Sequence, residues 1–298
     1  MQLILWMLLP LTLGVVSKML PLPKQSTPFL LFVIVKIAFP ALIFEKISRM
    51  HLTNEIFFFL FIAWGVFLLS VILAYLVALQ LKLQHKEKVA FIIISTLSNT
   101  AFLGIPFINL YYPDIITYAI VYDQLVSFIA LSLFAPLLIA STQNNNETKF
   151  SLLPLVKKPA FFTFIVALSF SNFTLPDLLY QISEPLGALV VPLSLFVIGR
   201  SFNFHDITSD PKVLVSVLFL TLFLSPFITT LLFFSMGFTT AMYHLLILDM
   251  AMPPMVMASI LLVDAKLNEP LALSSVSVGL ILSFITIPLW ESFLKFLL

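Results

Sequence analysis

The stretch SNTAFLGIP, residues Ser98–Pro106, lies in the middle of an apolar run that covers residues 88–112. Gly104 and Pro106 both weaken a helix; proline does so because it lacks an N–H and clashes with the carbonyl one turn back. A broken helix at membrane depth leaves backbone groups that only protein or a water-filled cavity can satisfy. The stretch therefore predicts either a discontinuous membrane span, typical of a transporter's binding site, or a proline kink in a packing helix.

The composition predicts an all-α protein that crosses a membrane many times. Of the 298 residues, 61% are hydrophobic and 10% are charged, and apolar runs of about 20 residues recur along the whole chain. The absence of cysteine excludes disulfides, cysteine-ligated metals and thiol nucleophiles. No basic patch or extramembrane segment is long enough to bind nucleic acid. The expected partner of the apolar runs is the lipid bilayer.

The apolar runs predict ten transmembrane helices, which we number as spans 1 to 10. A polar, asparagine-rich segment at residues 141–158 divides them into two groups of five and is expected to be a cytoplasmic linker. We therefore predict a first five-helix repeat at residues 1–140 and a second at residues 159–298. The spans are residues 2–20, 27–47, 55–81, 88–112, 114–140, 159–175, 178–203, 211–237, 239–264 and 269–297.

Lysine and arginine residues are distributed unevenly among the predicted loops. Most of them lie in the odd-numbered loops, so the positive-inside rule places these loops in the cytoplasm and both termini on the non-cytoplasmic side of the cell membrane. Because each repeat has an odd number of spans, the second repeat must run inverted relative to the first.

Prolines occur at corresponding positions of the two predicted repeats, at a nearly constant separation. Around the first pair the match extends to PALIF, residues 40–44, against PLSLF, residues 192–196. Weak internal similarity at a constant offset is typical of inverted-topology repeats. Chance is the alternative, because the chain has 19 prolines. The pairs are Pro40 with Pro192, Pro106 with Pro254, and Pro136 with Pro288.

A second interruption falls in predicted span 9, at LDMAMPP, residues Leu248–Pro254. Spans 4 and 9 would then be broken near the midplane and would face each other across the axis that relates the repeats. Half-helix N-termini carry partial positive charge and free N–H groups, both of which suit an anion. We expect the two broken helices to form a crossover that attracts carboxylates.

Three ionisable residues, Lys36, Asp123 and Asp249, lie near the middle of predicted spans. Ionisable groups are costly at that depth, so each is a candidate for function. Asp123 or Asp249 could bind a coupling H⁺ or Na⁺, or could accept hydrogen bonds from backbone groups at a break. Lys36 could pair with a carboxylate or meet the substrate, or could reach an interface by snorkelling.

Other polar residues of the spans have simpler predicted roles. Asn99 and Thr100 offer neutral donors to a carboxylate, with hydrogen bonding between helices as the alternative. We expect His244 and Glu184 to be ordinary interfacial residues, and Arg200 to fix the topology at the cytoplasmic end of span 7.

Four ordered motifs resemble those of the auxin efflux carrier family, which includes plant auxin exporters and bacterial organic-acid carriers. The stretch Ser98–Pro106 resembles the family's Asn-Thr…Gly-Ile-Pro signature, and residues 122–124, YDQ, resemble its Asp-Gln element. Val191–Phe202 and Met252–Leu267 resemble two further elements. The resemblance implies two inverted five-helix repeats, a scaffold domain, a crossover domain, a homodimer formed through the scaffold, and transport of organic anions. The short central loop favours a bacterial-type member.

The leading hypothesis is a secondary transporter, and not an enzyme, that moves small organic anions such as dicarboxylates or auxin-like weak acids by alternating access. No nucleotide motif is present, so a gradient must drive it. We expect no cofactor, with H⁺ or Na⁺ as the coupling ion. The alternatives are an intramembrane aspartyl-type protease, indicated by Tyr122-Asp123, and a passive anion channel.

The candidate site has two groups of residues and no metal ligands. The first group is expected at the crossover and at the substrate, and consists of Asn99, Thr100, Gly104, Pro106, Pro253 and Pro254. The second group is expected to carry charge or coupling, and consists of Asp123, Gln124, Asp249 and Lys36.

Overall fold

Helices form nearly all of the regular structure in the computed structural model, which describes residues 2–20, 23, 25–142, 158–171, 173–201, 210–238 and 240–297. Residues 2–8 and 201 are described by their backbone alone. These ranges contain no strand, only an isolated antiparallel bridge between Ser98 and Pro254. The prediction of an all-α protein is confirmed. Residues 143–157 of the predicted linker lie outside the described residues.

The helices are labelled α1 to α13 in chain order, and a turn at Leu189 joins α8 to α9. They are α1 (Gln2–Val16), α2 (Ser26–Ser48), α3 (Asn54–Gln80), α4 (His85–Thr96), α5 (Thr100–Tyr111), α6 (Pro113–Ala140), α7 (Pro159–Ser169), α8 (Asp177–Ala188), α9 (Val190–Ser201), α10 (Pro211–Ser235), α11 (Ala241–Met250), α12 (Val256–Asp264) and α13 (Glu269–Leu297).

Within the described ranges, six helical segments are long and apolar enough to cross a membrane. Five of them are α2, α3, α6, α10 and α13, and the sixth joins α8 to α9 as Asp177–Arg200. They coincide with predicted spans 2, 3, 5, 7, 8 and 10 to within a few residues. The chain is therefore a multi-pass membrane protein, whereas ten spans in two inverted repeats stay a prediction.

The other four predicted spans are short or interrupted helices. Helices α1 and α7 have 15 and 11 residues, fewer than the roughly 20 that a straight span requires. Predicted span 4 consists of α4 and α5, separated by residues 97–99, and predicted span 9 consists of α11 and α12, separated by residues 251–255. Both helices are thus interrupted in the spans where the sequence predicted a break.

Wide π-helical turns precede prolines in four places of the described chain. In each case the proline is the second residue after a five-residue π segment. The wider turn moves the carbonyl that the proline ring would otherwise meet, so the helix continues past the proline. The segments are Ile34–Ala38 before Pro40, Thr100–Gly104 before Pro106, Ala130–Phe134 before Pro136 and Leu220–Leu224 before Pro226.

The chain divides into two compact units, and among its described helices it passes between them within α3, α5 and α6. The described residues of the first unit lie within Met1–Ile56, Ala101–Gln124 and Ser151–Phe202. In this unit α1 packs along α9, and α7 and α8 pack against α2. Each of these contacts joins a helix from one predicted repeat to a helix from the other.

Two glycines allow α1 and α9 to approach closely. A Cβ atom at Gly14 would overlap the carbonyl oxygen of Phe196, and a Cβ atom at Gly199 would overlap the carbonyl oxygen of Leu11. Because the neighbouring atoms are backbone, a side chain at either position would push the helices apart. Arg200 follows directly and donates hydrogen bonds to three oxygen atoms on two other helical segments. These are Thr27 Oγ1 at 2.7 Å, Ser17 Oγ at 3.0 Å and Ser17 O at 3.1 Å.

The described residues of the second unit lie within Phe57–Thr100, Leu125–Phe150 and Asn203–Leu298. Helix α4 lies at its centre, because residues 89–96 are all buried and α4 packs against α10, α12, α13 and the end of α6. Helix α13 also packs against α10, α11 and α12. This division into units is not the predicted division into repeats at residues 141–158. The two repeats stay a prediction.

Candidate functional site

Two extended segments of the second unit, residues 97–99 and 253–255, pair with each other through their backbones. The N–H of Asn99 donates to the carbonyl oxygen of Pro253 at 2.9 Å, and the N–H of Met255 donates to that of Leu97 at 2.8 Å. Ser98 and Pro254 lie opposite each other in this bridge. Each break thereby supplies hydrogen-bond partners for backbone groups of the other. Such partners are needed because backbone N–H and C=O groups cannot stay unpaired at membrane depth.

The first break begins earlier than the helix-weakening residues indicated. The chain leaves the helix at Leu97, which is extended with φ −95° and ψ 102°. Gly104 is the last residue of a π segment, and Pro106 is the second residue of the α-helical turn that follows. Both are buried. These two residues therefore shape the start of α5, about two turns after the break itself.

Asn99 and Thr100 are both 1% exposed beside the paired breaks. The side-chain oxygen and nitrogen of Asn99 have no hydrogen-bond partner among the described residues. The Thr100 hydroxyl lies 3.3 Å from the hydroxyl of Ser127. A buried amide that leaves its hydrogen bonds unmade costs about 1–3 kcal/mol, so Asn99 is the best candidate in this unit to bind a polar group from outside the chain.

Two helix N-termini lie at the breaks, because α5 begins at Thr100 and α12 begins at Val256. Met255 is the N-cap of α12 and provides no side-chain hydrogen bond to the first turn. Uncapped N–H groups and the partial positive charge of a helix N-terminus favour an anion. The Asn99 amide and these N-termini together place hydrogen-bond donors beside the paired breaks.

Gly279 of α13 packs directly against the second break. A Cβ atom there would lie 3.0 Å from Pro254 Cδ, 3.1 Å from Leu218 Cδ2 and 3.2 Å from Pro253 Cβ. Pro253 and Pro254 are both buried. The absence of a side chain at Gly279 thus leaves the space that these two rings occupy, and the sequence prediction missed this residue.

Asp123 and Gln124 lie in the first unit, at the start of a π segment, Asp123–Ser127, that no proline follows. Asp123 is 4% exposed and Gln124 is 1% exposed. The Gln124 amide donates to Asp123 Oδ2 at 2.6 Å, and Gln124 Oε1 has no hydrogen-bond partner in the described ranges. Because π segments inside α-helices are frequent at functional sites, this pair is the second candidate for binding.

The remaining two candidates differ in their surroundings. Asp249 is 2% exposed in the last turn of α11, directly before the second break. Lys36 lies in a π segment of α2 and is exposed. No carboxylate of the described residues lies within ion-pair distance of Lys36. The structure thus places Asp249 next to the paired breaks and does not bring Lys36 to another candidate.

A sequence model described as "Membrane transport protein" matches residues 1–291. The chain belongs to the membrane transport protein family. This match confirms the resemblance to the auxin efflux carrier family. It is a transport family, in agreement with the expectation of a transporter and not of an enzyme.

A relative that is named a transporter has a similar length. The chain is 25% identical over 293 residues to a protein of Methanothermobacter thermautotrophicus that is named an uncharacterized transporter. The similarity covers 97% of this chain and 96% of the relative. The assignment to a membrane transporter therefore applies to the whole chain and not to one part of it.

His244 is buried, which the sequence did not predict. His244 is 4% exposed, and the carboxylate of Glu291, which is 5% exposed, interacts with it electrostatically. His244 therefore packs inside the protein, and its place near the outer interface stays a prediction. The apolar sequence around it gave no signal, because α11 is apolar on every side and periodicity cannot assign a buried face to such a helix. Glu184 is exposed, as expected for an interfacial residue.

Proposed function

We propose that this protein is a secondary transporter that moves small organic anions across the cell membrane by alternating access. The observation that carries the proposal is the buried Asn99 amide, unpaired among the described residues, beside two broken helices that satisfy each other's backbones. Discontinuous helices with N-termini near the membrane midplane bind anionic groups in secondary transporters. A carboxylate is one of the anions that amide and backbone N–H donors bind without a formal positive charge.

The division into units supports a moving part. Two of the places where the chain passes from one unit to the other, after Thr100 and after Gln124, lie within π-helical segments. Local irregularities of this kind can absorb changes in backbone angles. Helices of both predicted repeats occur in each unit, and this supports inverted repeats with a scaffold and a crossover domain.

Further parts of the proposal concern coupling, topology and assembly. Asp123 and Asp249 are buried carboxylates that could take H⁺ or Na⁺ as coupling ion. The positive-inside rule places both termini outside the cytoplasm, and a homodimer through the first unit agrees with the family resemblance. Neither the protease nor the channel alternative gains support from an observation in the described chain.

Uptake into proteoliposomes tests the proposal. Labelled malonate, malate, succinate and an indole acid would be offered with imposed pH, Na⁺ or voltage gradients. We expect saturable uptake of at least one acid, driven by one of the gradients. Folded protein that takes up none of these acids under any gradient would overturn the organic-anion assignment.

A further inference from the structure

His244 and Glu291 are two buried ionisable residues of the second unit, outside the candidate site described above. His244 lies near the start of α11 and Glu291 near the end of α13, and these two helices pack against each other. Both residues are at least nine-tenths buried, and Glu291 interacts electrostatically with His244. Such burial is unusual for a histidine and a glutamate, which are costly to remove from water when charged.

The pair has a connection to the surface through Lys295. The ammonium of Lys295 forms an ion pair with Glu291 one helical turn away, and the Lys295 side chain is 60% exposed. The neighbouring Trp290 donates its indole N–H to the carbonyl oxygen of Leu222 at 2.8 Å, which fixes this turn of α13 against α10. The Glu291 carboxylate is therefore paired with an exposed cation, and its helix packs against the helix that carries His244.

The other titratable side chains near His244 are few. Helix α11 packs against α10 and α13. In α11 itself the further titratable residues are Tyr243 and Asp249, and in α10 the only one is Lys212, at the opposite end of that helix. Helix α13 has Glu269 at its far end, besides Glu291 and Lys295. Within these helices, Glu291 is thus the carboxylate placed to balance a charge on His244.

We propose that His244 is a proton-binding group that couples transport to a proton gradient, with Glu291 as its counter-ion; the inference rests on the proposed carrier function. The proton adds to the neutral imidazole, and no other bond forms or breaks. With Glu291 ionised and Lys295 protonated, the cluster then changes from net zero to a single positive charge. Histidine suits this task because its charge changes near physiological pH. One proton carried in this way offsets one negative charge of a carboxylate substrate.

Two transport measurements on the reconstituted full chain separate coupling from substrate binding. The first is exchange of labelled for unlabelled acid at equal pH on both sides, and the second is uptake driven by an imposed pH gradient. In His244→Gln and Glu291→Gln we expect gradient-driven uptake to fall about tenfold, within the usual range of coupling free energies. Exchange should fall much less. The matched control is His51→Gln, because His51 is exposed in the loop before α3, and it should resemble wild type in both assays.

The outcomes distinguish the two proposals. Selective loss of gradient-driven uptake in both variants supports proton binding at His244. Equal loss of exchange and gradient-driven uptake in folded variants would show a structural role and overturn the inference, as would full gradient stimulation in His244→Gln. If wild type exchanges an acid but never responds to pH, the inference fails and the carrier function stands. If wild type exchanges no acid, the carrier function itself fails, and the inference with it.

Discussion

Ser98 lies opposite Pro254 in an antiparallel bridge, although about half of the chain separates the two residues in sequence. The bridge joins a break in the first predicted repeat to a break in the second. It explains how two interrupted helices remain stable in an apolar surrounding, because each supplies the hydrogen-bond partner that the other lacks. It also defines a distance that can be tested directly in a chain that has no cysteine.

Ser98→Cys combined with Pro254→Cys should form a disulfide under mild oxidation. Residues directly opposite each other in an antiparallel pair have Cβ atoms about 5 Å apart, close to the separation that a disulfide requires. A protease site inserted between Asn144 and Asn145 would make the bond visible, since the cleaved halves should stay together on a gel until reductant is added.

Met257 provides the register control for this cross-link. Met257 lies in the first turn of α12, and its side chain is 43% exposed, so it points away from the buried break. Ser98→Cys with Met257→Cys should therefore not cross-link. Equal cross-linking of both pairs, or none in the first, would contradict the pairing of the breaks.

Asn99→Ala should weaken transport without weakening the fold. Neither side-chain polar atom of Asn99 has a partner among the described residues, so alanine removes no hydrogen bond of the folded chain. A hydrogen bond to a charged carboxylate contributes about 1.5–3 kcal/mol, so the apparent affinity for substrate should fall about tenfold to hundredfold. Uptake kinetics and thermal unfolding in detergent measure the two effects. Asn109→Ala is the matched control, because Asn109 is exposed on the same half-helix; similar losses in both variants would argue against a site at Asn99.

Asp123→Asn should abolish transport while the chain stays folded. Asparagine keeps an oxygen atom that can accept the 2.6 Å hydrogen bond from Gln124, whereas the negative charge and one acceptor oxygen are lost. Loss of uptake at near-normal thermal stability would assign the charge to substrate or ion coupling. Asp114→Asn, at an exposed position near the start of the same helix, should transport normally. Should Asp123→Asn fail to fold, the carboxylate has a structural role instead.

Gly14→Ala and Gly199→Ala should each destabilise the first unit. The added methyl group would meet a backbone carbonyl that cannot turn aside, and overpacking of this kind typically costs about 1–3 kcal/mol. Thermal unfolding in detergent should show the loss. At Gly65 of α3, where a Cβ would meet nothing within 4 Å, alanine should instead be neutral or stabilising by up to about 1 kcal/mol. A destabilising Gly65→Ala of similar size would argue against close approach as the cause at Gly14 and Gly199, because helix propensity alone favours alanine over glycine.

Local sequence features predicted much of the architecture and part of the site. Long apolar runs located α2, α3, α6, α10 and α13, because length and hydropathy suffice for helices that cross a bilayer. The adjacent prolines placed the second break correctly. The first break was harder, since Gly104 and Pro106 are accommodated by a π turn, and the chain leaves the helix at Leu97, a residue with no helix-breaking tendency.

Contacts between distant segments could not be read from the sequence. The contact of Gly279 with the two prolines, the hydrogen bond between Thr100 and Ser127, and the burial of His244 all depend on how helices pack. Periodicity cannot supply this information for helices that are apolar on all sides. The exposure of Lys36 shows the same difficulty, because position within a span does not tell which way a side chain points.

The pairing of the two breaks has a consequence for biosynthesis. The ribosome makes Asn99 long before it makes Pro253, and at usual rates of synthesis the delay is roughly ten seconds or more. During that interval the N–H of Asn99 and the carbonyl of Leu97 lack the partners that they have in the finished protein. A newly inserted first half therefore needs water, lipid headgroups or the insertion machinery at this point, and premature termination before Pro253 should yield a product that membrane quality control removes.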